Sequence, residues 1–112
     1  MTSDVSEDRF ELQPGDKVLL NDDRVGSIKF FGKVDFSPGE WYGIDLDLPF
    51  RGSNDGKVQG RRYFRSKQAG QGIFVRRIAI IRKLEDKEYK KVKRASIALR
   101  RGESIGSFRP VN

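Results

Sequence analysis

The chain has 112 residues, no cysteine, no histidine, and 23 Lys and Arg against 16 Asp and Glu, for a formal net charge of +7. Without Cys and His, disulfides, thiol chemistry, nearly every zinc site and the commonest general base are excluded. The basic balance points to an acidic partner: nucleic acid, an anionic membrane or an acidic protein surface.

Residues 1–13 are polar and acidic, with Val5, Phe10 and Leu12 as their larger apolar groups. They lack the apolar core of a signal peptide and are expected to form a mobile arm on a cytosolic protein. No stretch approaches the ~20 apolar residues of a membrane span, so no membrane partner is expected.

Residues 14–83 carry most of the glycines and aromatics and are expected to form one β domain. Lys17–Leu20 is a β-prone run, closed by the turn cluster Asn21-Asp22-Asp23. Ser27–Phe31 is a second strand, set between Gly26 and Gly32. Ser37-Pro38-Gly39 is a turn, and Trp41–Leu46 a third strand. Arg61–Phe64, Ile73–Val75 and Ile78–Ile81 complete the set. No apolar period of 3.6 runs to helical length, so the expected fold is all-β, a small and strongly bent sheet or open barrel.

Residues 84–112 are a basic tail, with Tyr89, Val92, Ile97 and Leu99 sparse among Lys and Arg. A short helix ended by Gly102 is one reading and a solvated linker the other. As a second electrostatic contact with an acidic surface, the tail would be weakened by phosphate on Ser96 or Ser104, both of which follow arginines.

The segment Gly52-Ser53-Asn54-Asp55-Gly56 frames a polar triplet with two glycines. Amides of a positive-φ loop can converge on an anion, and Asn54 adds a donor and an acceptor. An ordinary Asp-Gly hairpin turn fits the same residues, with Asp55 bonding to its own backbone. Phe36, Trp41 and Phe74 are either core aromatics or the walls of an exposed slot. Phe30, Ile28, Ile44, Leu46, Tyr63, Phe64 and Ile80 are expected in the core.

The loop sits between Gly32–Asp47, which contains Phe36-Ser37-Pro38-Gly39-Glu40-Trp41-Tyr42-Gly43, and the later stretches Gly60-Arg61-Arg62-Tyr63-Phe64 and Gly72-Ile73-Phe74. In this order and spacing, residues 15–82 resemble the CAP-Gly domain family of dynactin, the cytoplasmic linker proteins and the tubulin-folding cofactors. The resemblance implies a small SH3-like twisted open barrel. It also implies binding of acidic C-terminal tails ending in Glu-Glu-Tyr or Glu-Glu-Phe, as on α-tubulin and end-binding proteins, and a place on cytoplasmic microtubules.

Carried over by position, Phe36, Trp41 and Phe74 would line an apolar groove and Arg76 its edge. Gly52, Ser53, Asn54, Asp55 and Gly56 would hold the terminal carboxylate. The family's loop lysine is Ser53 here, with Arg51 two residues earlier inside a one-residue insertion. Arg51, Lys57, Arg61, Arg62, Arg65 and Lys67 would supply a positive field, which speeds encounter more than it sets affinity. No carboxylate pair, nucleophile–base pair or phosphate-type loop points to catalysis, and no metal or other cofactor is implied. The competing reading is a basic β-barrel that stacks bases and tracks phosphates.

Overall fold

The computed structural model describes residues 12–100. Its elements are β1 (Lys17–Leu20), β2 (Val25–Lys33), β3 (Glu40–Leu46), β4 (Lys57–Val58), β5 (Arg61–Arg62), β6 (Gly72–Val75), a 3-10 turn (Arg77–Ala79), β7 (Ile80–Leu84) and helix α1 (Asp86–Arg100). Five strands form one antiparallel sheet in the order β6-β3-β2-β1-β7, while β4 and β5 pair only with each other. The expected mostly-β architecture is present, with α1 added at the C-terminal side.

Three strand expectations need correction. Gly26 and Gly32 do not bound β2; the strand runs through both, with Gly26 in register with Val18 on one side and Leu46 on the other. Arg61–Phe64 is strand only at Arg61–Arg62, because the next two amides turn inward and donate to the Gly56 carbonyl. Ile78 and Ala79 lie in the 3-10 turn, and the last strand runs from Ile80 to Leu84.

Alternation along β3 decides the layout. Tyr42, Ile44 and Leu46 point to one face and join Val18, Leu20, Val25, Ile28, Phe50 and Ile80 in the buried core. Trp41, Gly43 and Asp45 point to the other, beneath the long connection from β3 to β6. Gln71, 2% exposed, ties that connection down by donating to the Leu46 and Phe50 carbonyls at 2.9 Å each.

The tail residues 86–100 are helical. The Glu85 amide donates to Glu88 Oε1 at 3.1 Å, a cap one turn back, and Arg82 grips the same carboxylate at 3.0 Å. The Arg82 hydrogen bond, then that amide, hold Glu88 below its ordinary pKa. Tyr89, Val92 and Ile97 pack on the core, and the Lys17 ammonium lies 4.8 Å from the Tyr89 ring centre. Lys87, Lys90, Lys91 and Arg94 face solvent. Ser96 is 4% exposed on the inner side, so the phosphorylation expected there is blocked while the helix is docked. Gly102, Ser104 and nearly all of the acidic arm lie outside the described residues.

Asp47, 7% exposed, faces the helix from the sheet side, with Oδ2 3.8 Å from Lys93 Nζ. Burial pushes the Asp47 carboxyl above its ordinary value, against the pull of Lys93, Lys67 and Lys17; Asp45 adds to the rise. A carboxyl raised by folding holds its proton to higher pH than in the unfolded chain. Its penalty is therefore complete above the folded pKa and is relieved as pH falls through it. Asp47→Asn is expected to melt above wild type at neutral pH, with the gain shrinking as pH falls toward the ordinary carboxyl range. Melting curves across pH check this; a variant below wild type at neutral pH overturns it.

Candidate functional site

Six aromatic rings gather on the face of the sheet that carries Trp41 and Gly43. Phe74 is the hub, with ring centres 5.1 Å from Phe36, 5.5 Å from Tyr63, 5.4 Å from Phe64 and 6.2 Å from Phe30. Phe36 extends the group to Trp41 at 6.0 Å. The floor is Gly43, which is in register with Phe30 on one side and Phe74 on the other. A Cβ there would stand 2.7 Å from Phe64 Cδ1, so only glycine lets the rings close over the strand. Phe64 is buried, but Phe30, Phe36, Trp41, Tyr63 and Phe74 all keep part of their surface in solvent. The cluster is thus a second apolar group, separate from the core.

The glycine-framed loop lies against this cluster through Phe64. Asn54 bridges Gly72 at the start of β6, and a Cβ on Gly72 would stand 3.0 Å from Asn54 Oδ1 and 3.1 Å from Phe64 Cζ. Gly56 has φ +100° and abuts the Phe64 carbonyl. Most of the loop's amides are bonded within the domain. Gly52 donates to the Gly70 carbonyl, Ser53 and Asn54 to that of Gly72, Gly56 to Asn54 Oδ1 at 2.8 Å and Lys57 to Asp55 Oδ1 at 3.3 Å. Four of the expected main-chain donors, those of Gly52, Ser53, Asn54 and Gly56, thus hold the loop itself. One consequence favours recognition: the Gly56 amide engages Asn54 Oδ1, and Nδ2 is the side-chain donor that this bond leaves over.

Arg76 closes the far end of the cluster. Its guanidinium lies 4.0 Å from the Trp41 ring centre and donates to the Pro38 and Glu40 carbonyls at 2.9 and 3.3 Å. Trp41 Nε1 reaches the same Pro38 carbonyl at 3.3 Å. Trp41 and Arg76 therefore brace each other and the Ser37–Gly39 turn.

The order of these parts along the chain is that of a known domain, whose family profile matches residues 14–80, described as the CAP-Gly domain. The chain belongs to the CAP-Gly domain family. Among its relatives, CAP-Gly domain-containing linker protein 3 of Homo sapiens is 49% identical over 57 residues, which are 51% of this chain and 10% of the relative. Tubulin-specific chaperone E of Dictyostelium discoideum is 44% identical over 62 residues, 55% of this chain and 12% of the relative. Microtubule-associated protein ssm4 of Schizosaccharomyces pombe is 48% identical over 65 residues, 58% and 9%. The matched segment thus spans only about a tenth of these relatives.

Solved CAP-Gly domains share the fold. That of human kinesin-like protein KIF13B superposes with a TM-score of 0.59 at 34% identity, covering 68% of this chain and 78% of that one. The Bik1 CAP-Gly domain with ETF peptide from Bim1 gives 0.55 at 26% identity, covering 79% and 95%.

Against the family pattern, this CAP-Gly domain distributes charge in its own way. Ser53 is exposed. The Arg51 carbonyl accepts from Arg24 Nη1 at 2.6 Å, and Arg51 Nη1 lies 3.6 Å from the Cβ position of Gly70, so this side chain leans on the Gln68–Gly70 turn. Arg61 pairs with Asp35 at 2.8 Å, a contact that raises its pKa, and Arg62 pairs with Asp55 at 3.4 Å. Desolvation, the largest single influence, would raise Asp55, but the Lys57 amide and Arg62 together outweigh it and hold the carboxyl below its ordinary value. Lys57, Arg65 and Lys67 are exposed.

Three residues assigned to the core, Phe30, Tyr63 and Phe64, belong to the cluster instead. Phe30 packs 5.3 Å from Tyr63, and the Tyr63 hydroxyl accepts the Asp35 amide at 2.9 Å. The usable signal was Gly43: a glycine in mid-strand with aromatics on both neighbouring strands marks rings folding over it.

Proposed function

We propose that this chain is a binding module, not an enzyme, that captures the acidic, aromatic-ended C-terminal tail of α-tubulin or a microtubule-end-tracking protein. One observation carries the reading: a partly exposed aromatic cluster stands beside an asparagine whose Oδ1 is held by the Gly56 amide, leaving Nδ2 as a donor. A terminal aromatic ring gains large apolar contact in such a slot at small entropy cost. The carboxylate that follows it takes the Asn54 Nδ2 donor, and Arg76 at the opposite end meets the preceding acidic residues. The Bik1 CAP-Gly domain with ETF peptide from Bim1 and the microtubule-associated relative ssm4 support this reading, and with it we infer a location in the cytoplasm, on the cytoskeleton.

Titration of the full chain with an acidic tail peptide, with and without its last Tyr or Phe, tests it. Deleting that residue is expected to weaken binding by about 100-fold, the scale of an interface hot spot. Equal affinities would overturn the proposal. A parallel titration with a single-stranded oligonucleotide separates the alternative: peptide binding indifferent to the deletion, with tight and steeply salt-dependent oligonucleotide binding, would favour the nucleic-acid reading in its place.

A further inference from the structure

The slot has a direction. Asn54 is bridged to Gly72, Phe74 stands two residues further along β6, and Arg76 two beyond that. A strand advances ~3.3 Å per residue, so Gly72 to Arg76 covers roughly 13 Å, the reach of about four extended peptide residues. A chain end held at Asn54 therefore passes Arg76 after about four residues.

Beyond Arg76 the backbone turns through Arg77–Ala79, and a second depression opens. It has a volume of about 560 Å³ and is lined by Phe31, Glu40, Tyr42, Arg76, Arg77 and Ile78. Ile78 is 87% exposed and Phe31 42%, with Phe31 stacked on Tyr42 at 4.6 Å. An isoleucine so exposed adds little to the core, whereas grouped exposed apolar side chains mark sites of association. Arg76 belongs to both places, bracing Trp41 on one side and lining the depression on the other. Arg77, held by its bond to the Ile80 carbonyl at 3.0 Å, adds a second cation. Glu40 is the one acid in the lining, and in the sheet it stands in register with Lys33.

We propose that this depression is a second subsite for the same partner, resting on the tail-binding reading above. It takes a large apolar side chain, flanked by acidic residues, about five to seven residues before the captured end. Apolar lining selects the side chain, the two arginines select its acidic neighbours, and the ligand chain passes Arg76 around the β6 edge, from the face of Trp41 to that of Tyr42.

The test titrates the full chain with a peptide of about four residues carrying the acidic, aromatic end, and with one of about ten residues that adds a leucine in the window above. In wild type the long peptide is expected to bind about tenfold tighter, the gain from partial burial of one leucine. Ile78→Ser, at a site remote from the core, is expected to cut that advantage to about threefold or less while leaving short-peptide affinity unchanged. Replacing the peptide leucine by serine should do the same, and the two changes should not add. An equal long-to-short ratio in wild type and Ile78→Ser would overturn the subsite alone, provided the short peptide still needs its terminal aromatic. If neither peptide binds, or neither needs that aromatic, the tail reading fails and the subsite fails with it.

Discussion

Gly56→Ala is expected to remove most of the stability of the domain. With φ at +100° the backbone at Gly56 is in the left-handed region, where a residue carrying a Cβ loses roughly 1–2 kcal/mol. The added methyl would also be driven into the Phe64 carbonyl, and Phe64 Cδ2 lies only 3.1 Å away on the other side. Neither neighbour can yield, because the amides of Tyr63 and Phe64 donate to the Gly56 carbonyl and Ser66 donates to that of Asp55. The expected total is ~3–4 kcal/mol, at the upper end of single substitutions. Gly60→Ala is the control: φ is +84°, but nothing lies within 4 Å of its Cβ position, so only the conformational part is lost. Denaturant midpoints of the two variants separate the terms. Equal losses would show that the contact with Phe64 carries no weight.

Asn54→Asp is expected to leave the fold in place and abolish tail binding. The aspartate keeps an oxygen for the Gly56 amide, so the loop hydrogen bond at 2.8 Å survives. The Nδ2 donor becomes a second oxygen bearing negative charge, facing the peptide's own carboxylate. Like charges set against each other in an interface cost several kcal/mol, so a loss of ~3 kcal/mol or more, about 100-fold, is expected. Asn54→Ala removes the donor without adding a charge and should lose less binding, yet it also strips the Gly56 amide of its acceptor and should melt lower. Calorimetric titration with a thermal melt of each variant checks both halves. Asn54→Asp binding as tightly as wild type would mean that Asn54 does not face the chain end.

Much of the fold was legible because glycines, turn residues and aromatics fall in a sequence order that only a small β domain satisfies. Lys17–Leu20, Trp41–Leu46 and Ile73–Val75 came out close to their true limits, since alternation and turn clusters bound them locally. What was not legible depended on partners far along the chain. Gly26 and Gly32 look like breaks until the neighbouring strands are known to run past them. Helix α1 looks marginal as a peptide, because its weak apolar stripe counts only once the sheet is there to receive Tyr89, Val92 and Ile97. In the candidate site, the family resemblance named Phe36, Trp41, Phe74 and Asn54, which residue types alone left open between core, turn and slot, but not how the loop spends its own donors. Positive φ and paired glycines suggest open amides; only the hydrogen bonds to Gly70, Gly72 and Asn54 Oδ1 show them occupied.

The β4–β5 hairpin stands outside the main sheet, and its residues reach the slot through Tyr63. Links from this segment back to the end of β2 include one hydroxyl hydrogen bond and one solvent-exposed ion pair, both to Asp35. Fluctuations are expected to be larger there, since exposed ion pairs resist little and no ladder joins the hairpin to the main sheet. The slot therefore has one stiff wall, built on β3 and β6, and one compliant wall. Ligands with bulkier last side chains would be admitted by hairpin displacement, at a cost far below that of bending the sheet, so tolerance at the chain end is set by β4–β5 while alignment is set by β6.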